Sequence, residues 1–113
     1  MSRTTRTRTS QQTPRIYRQG DVLIIARDVP DTAQPVTRDG DVILAHGEVT
    51  GHAHRIASSA VREWSAGAER FIQALETVAL THEEHSTVTL PPGAYQIVIQ
   101  SEYSPGALRN VAD

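Results

Sequence analysis

The sequence predicts a small, mainly β protein. Along several segments apolar and polar residues alternate with a period of two, most clearly over residues 78–90 and 94–99. These segments are short, rich in β-branched residues and separated by Gly- and Pro-containing turn signals. The chain of 113 residues fits a single domain. We therefore expect about seven short strands forming a β-barrel, a roll or a sandwich.

The seven predicted strands follow one another at close spacing. They cover residues 21–26, 42–45, 52–56, 61–64, 69–75, 78–90 and 94–99. Pro30 and Pro35 mark a loop between the first two strands. Residues 69–75 also fit helical spacing, but turn signals flank this short run, which favours a strand.

Charge divides the chain into two parts. Residues 1–18 contain five arginines and no acidic residue, whereas residues 19–113 contain six arginines and thirteen acidic residues. We expect residues 1–15 to form a disordered basic arm and residues 16–113 to form the β domain, because polar segments of this kind bury too little apolar surface to fold. A nucleic-acid contact through the arm is the alternative interpretation.

Composition excludes several classes of protein and site. The chain has no cysteine, which rules out disulfides and thiolate metal sites. No apolar run approaches the roughly 18 residues that a membrane span requires, and the N-terminal residues lack the apolar core of a secretory signal. We therefore expect a cytoplasmic protein.

All five histidines fall in two short segments, residues 46–54 and 82–85. Residues two apart on a strand face the same side, so His52 and His54 are predicted to share one face. On a continuous strand over residues 78–90, His82 and Glu84 would likewise share the apolar face. Imidazole and carboxylate ligands in such a set suit a divalent ion of zinc, iron, manganese or nickel. An ordinary polar turn at residues 82–85 is the alternative.

The leading hypothesis is a metal-binding protein, with hydrolysis of a phosphoester or a similar small polar substrate as its activity. His52, His54 and His82 would bind the metal, and Glu84 or His85 would be a fourth ligand or the general base. A metal-free, nuclease-like enzyme would instead use His52 or His54 together with His85. A binding or structural module without catalysis is the third alternative.

Five motifs resemble those of a family of small, uncharacterised bacterial and phage-borne proteins. They are QGDV at residues 19–22, GEVTGHAH at 47–54, LTHEEH at 80–85, LPPGAY at 90–95 and QSEY at 100–103. The resemblance implies membership of that group and brings no activity with it. The His-x-His pair is also similar to that of cupins, but the glutamate expected shortly after His54 is missing, so this likeness is an analogy of fold alone.

Overall fold

Ten β-strands make up the fold in this computed structural model, which describes residues 15–47 and 49–100. The described residues contain no helix, and so none long and apolar enough to cross a membrane. In chain order the strands are β1 (Ile16–Gln19), β2 (Val22–Ala26), β3 (Gln34–Val36), β4 (Val42–His46), β5 (Ala53–Ile56), β6 (Val61–Ala66), β7 (Glu69–Ala74), β8 (Val78–His82), β9 (His85–Leu90) and β10 (Gly93–Ile99).

The strands form two antiparallel sheets that are not closed into a barrel. One sheet has six strands in the order β1-β2-β10-β7-β6-β3, and the other has four in the order β9-β8-β5-β4. The mainly β prediction is therefore confirmed, and two facing sheets match its sandwich alternative better than its barrel.

The apolar core draws residues from both sheets, because alternate side chains on each strand point inward. Every strand longer than three residues except β1 contributes to this core. Its buried members are Val22, Ile24, Val42, Leu44, Ile56, Val61, Ile72, Ala74, Val78, Leu80, Leu90, Tyr95 and Ile97.

One polar side chain ties the two sheets together beside this core. The guanidinium of Arg70 on β7 donates to the carbonyl oxygens of Leu44 (2.7 Å) and Ile43 (2.9 Å) on β4. It also donates to the carboxylate of Glu63 at 3.1 Å. The carbonyl acceptors lie where the pairing of β4 with β5 shifts register, so Arg70 satisfies backbone groups at an irregular point of the ladder.

The structure corrects the predicted elements in three places. Residues 78–90 form a hairpin of two strands instead of one continuous strand. Strand β1 lies just before the first predicted strand, and β3 occupies part of the predicted Pro-rich loop, at an edge where Pro35 is tolerated. The ambiguous residues 69–75 do form a strand, over Glu69–Ala74.

Several sequence predictions fall outside the described residues. These are the basic arm up to residue 14, Glu48 of the second motif and residues 101–103 of the last motif. Arg15 is described, and its carbonyl oxygen accepts a hydrogen bond from the amide of Ala26 at 2.8 Å.

Leu90→Ala and Leu75→Ala form a matched pair that tests the assigned core. Leu90 is fully buried, whereas Leu75 is 54% exposed. We expect Leu90→Ala to lower the free energy of unfolding by about 2–5 kcal/mol, since it removes buried methyl groups and leaves a cavity. Leu75→Ala should change it by less than about 0.5 kcal/mol. Urea denaturation measures both, and equal losses would contradict the packing described.

Candidate metal centre

Three imidazole rings converge at one corner of the molecule. They belong to His54 on β5, His82 at the end of β8 and His85 at the start of β9. One ring nitrogen of each lies within 4.8 Å of the corresponding nitrogens of the other two. The ring centroids are 4.3 Å apart for His54 and His82, 4.7 Å for His82 and His85, and 5.6 Å for His54 and His85.

Strand pairing explains the convergence. His82 and His85 are partners across the two-residue turn that joins β8 to β9. Strand β5 lies on the other side of β8, with Ile56 opposite Leu80 and Arg55 opposite Thr81. That register continues to place His54 beside His82, so three neighbouring strands each supply one imidazole.

The three imidazoles differ in how deeply they are buried. His54 is buried, His82 is partly buried and His85 is exposed. Burial is the main cause that lowers the pKa of His54, and the neighbouring His82 adds to the effect, while the carboxylate of Asp21 opposes it. His54 is therefore held as neutral imidazole, the form that binds metals.

A buried amide from the other sheet holds His54. Gln19 and His54 are the two buried polar residues in the part of the chain that the structure describes. The Oε1 atom of Gln19 lies 2.8 Å from Nδ1 of His54. Its Nε2 atom donates to the carbonyl oxygens of Leu80 (2.9 Å) and Ser86 (3.0 Å). One side chain on β1 thus contacts three strands of the four-stranded sheet.

The turn between β1 and β2 covers the imidazoles. Gly20 in this turn has φ of +60°, and a Cβ atom built there would lie 2.9 Å from Nε2 of His85. The next residue, Asp21, places Oδ1 3.9 Å from Nε2 of His54. Gly47 contacts the cluster from another side, since a Cβ atom there would lie 3.1 Å from Nε2 of His82. A side chain at either position would therefore require the neighbouring imidazole to move.

The structure groups His85, not His52, with the other two imidazoles. Strand β5 begins at Ala53, so His52 lies just before the strand that carries His54. The ring of His52 lies 6.0 Å from that of His82, and its Nδ1 lies 3.3 Å from Oε2 of Glu84. His46 ends β4, is exposed and is not part of the cluster.

Glu83 and Glu84 form the turn of the hairpin, so Glu84 does not share a strand face with His82. The amide of Glu84 donates to Nδ1 of His82 at 3.0 Å. Coordination by His82 through Nε2 would require its proton to move to Nδ1, and this bond would then break. Glu83 accepts a hydrogen bond from the amide of Ala53 at 3.0 Å. Hydrogen bonds from its own amide and that of Ala53 lower the pKa of Glu83.

Sequence reasoning missed Gln19, Gly20 and Asp21 as parts of this site. Their signal was present, because all three belong to the QGDV motif at residues 19–22. Periodicity could not connect that motif to the histidines, since the contact joins segments more than thirty residues apart.

Comparison with known protein families identifies the family of this chain. A family model described as Domain of unknown function (DUF8820) matches residues 18–100. The chain belongs to this family. The match to DUF8820 includes Gln19 and all three clustered histidines, and it agrees with the expected membership of an uncharacterised family. Searches of curated proteins and of solved structures found no match.

Gly20→Ala and Gly67→Ala separate backbone strain from contact with the cluster. Both glycines have similar φ values, +60° and +63°, but a Cβ atom at Gly67 meets no heavy atom within 4 Å. Each substitution should cost about 1–2 kcal/mol of stability for the left-handed backbone. We expect Gly20→Ala to cost more and to shift the imidazole NMR signals of His85, because the new methyl group collides with its ring. Indistinguishable effects in urea denaturation and NMR would show that the turn does not contact the imidazoles.

Proposed function

We propose that this protein binds a divalent first-row transition metal through His54, His82 and His85. The convergence of three ring nitrogens within 4.8 Å carries the proposal. Imidazole nitrogens bind zinc at about 2.0–2.1 Å, so two ligands of a tetrahedral ion lie roughly 3.4 Å apart. To reach that separation, the side chains of the partly buried His82 and the exposed His85 would rotate toward His54.

The ligand set favours some metals over others. Three imidazoles suit zinc, iron or nickel better than manganese, which prefers oxygen ligands. Three protein ligands also leave a fourth position for water or substrate. Asp21 is the nearest carboxylate to His54, with its Oδ1 3.9 Å from Nε2.

Zinc titration of the purified, tag-free protein tests the proposal. Binding to the folded state alone should stabilise it by about 2.7 kcal/mol when free zinc is 100 times the dissociation constant. Chelator should reverse the gain. We expect His85→Ala to abolish the zinc-dependent stabilisation with little effect on the metal-free protein, because this side chain is exposed.

Two further histidine variants serve as controls in the same titration. His46→Ala should behave as wild type, since His46 lies outside the cluster. The strand pattern predicted His52 as a ligand, whereas the structure groups His85 with the other two imidazoles. We therefore expect His52→Ala to retain zinc binding. Loss of binding in His52→Ala but not in His85→Ala would overturn the proposed ligands.

Hydrolysis of a phosphoester is the activity we propose for this site. A divalent ion with three protein ligands can activate a water molecule at the open position. Asp21, which faces His54, joins Glu84 as a candidate base. Glu84 is less well placed, because its carboxylate approaches His52 instead of the three clustered imidazoles.

Hydrolysis of bis(p-nitrophenyl) phosphate by the zinc-loaded protein tests this activity. Asp21→Asn should reduce turnover by about 10²–10⁴-fold if its carboxylate acts as the base, with Glu84→Gln as the comparison. Activity that survives chelator would favour the metal-free alternative that uses His54 with His85. Zinc binding without turnover would favour a non-catalytic module.

A further inference from the structure

We infer that Gln19 is a positioning residue that fixes the tautomer of His54 and so selects Nε2 as its metal-binding nitrogen. The inference deepens the proposed metal site and depends on it for its functional meaning. Its structural part, the position of one proton, stands separately and can be measured without any metal.

The orientation of the Gln19 amide is determined by its neighbours. Two backbone carbonyl oxygens, of Leu80 and Ser86, lie 2.9 and 3.0 Å from the same side-chain atom. Carbonyl oxygens only accept hydrogen bonds, so the atom facing them must be the NH₂ group. The flipped amide would set its oxygen against two other oxygens, none of which can donate a hydrogen bond.

The amide orientation in turn determines the proton on His54. Since both amide hydrogens are already used, Oε1 faces Nδ1 of His54 as an acceptor, at 2.8 Å. A neutral imidazole carries one N–H, and here Nδ1 must donate it. The lone pair therefore lies on Nε2, the atom that lies near the Asp21 carboxylate. A hydrogen bond at one ring nitrogen is a common means of orienting a histidine that binds metal through the other.

His82 provides an internal comparison within the cluster. Its Nδ1 accepts the exposed amide of Glu84 at 3.0 Å, which favours the opposite tautomer. That bond lies at the surface, where water can replace it, whereas the bond between Gln19 and His54 is buried. Because the site is buried, changing the tautomer of His54 would be energetically unfavourable. Nδ1 of His54 and Oε1 of Gln19 would then both be acceptors without a donor.

Long-range ¹H–¹⁵N NMR of the imidazoles tests the inference in the full chain. Wild type should show His54 protonated at Nδ1, and His82 should not share that state. Gln19→Met removes the acceptor, so His54 should lose its fixed tautomer and zinc affinity should fall about 10–100-fold. Gln96→Met is the matched control, since Gln96 makes its hydrogen bonds with Arg27 and Glu69 on an exposed surface.

Gln19→Glu separates positioning from a purely structural role. Its carboxylate can still accept a hydrogen bond from Nδ1–H of His54 but cannot donate to the carbonyl oxygens of Leu80 and Ser86. We expect this variant to lose stability while keeping the Nδ1–H tautomer and the zinc affinity. A proton on Nε2 of His54 in wild type, or an unchanged tautomer in Gln19→Met, would overturn the inference. Absence of zinc binding to wild type with the expected tautomer would count against the proposed function alone.

Discussion

One buried amide organises the candidate site. Gln19 extends from β1 of the six-stranded sheet and contacts β5, β8 and β9 of the four-stranded sheet through three hydrogen bonds. An amide buried without partners destabilises a fold, so this position is tolerated only because every bond is made. Each bond also has a required direction, and together they fix how the two sheets meet at this corner. The Gly20 turn and the imidazoles contact each other because of that junction.

Apolar packing and side-chain hydrogen bonds contribute differently to this fold. The apolar core between the sheets supplies most of the favourable free energy, but apolar contacts tolerate small sliding movements. Two polar side chains limit such movements: Gln19 beside β9, and Arg70 beside β4, where it donates to Ile43 and Leu44. A metal site needs its ligands placed to within a fraction of an ångström. In the proposed metal site, the hydrogen bonds of Gln19 would supply that placement for His54.

The fold class was predictable because strand alternation is a local property, and the hairpin was missed for an equally physical reason. A two-residue turn pairs His82 with His85, which alone would put odd-numbered residues of β9 on the core face. The register then shifts between His85 and Val88, so that Val88 faces Leu80 and Leu90 faces Val78. The irregularity restores the even-numbered apolar phase. Alternation therefore runs through residues 78–90 as though no turn were present.

The same turn explains why the histidine clusters were foreseeable but their grouping was not. Spacing in the sequence favoured His52, two residues before His54, whereas pairing across the hairpin brought in His85. The result is a set of unequal ligands. His54 is buried and held by Gln19, while His82 and His85 flank a surface turn and depend on fewer fixed contacts. In the proposed site, one anchored imidazole would define where an ion sits, and the two surface imidazoles would adjust to it. That division would let the folded protein bind a metal without rearranging its core, because the two imidazoles that would move, of His82 and His85, are less buried than His54.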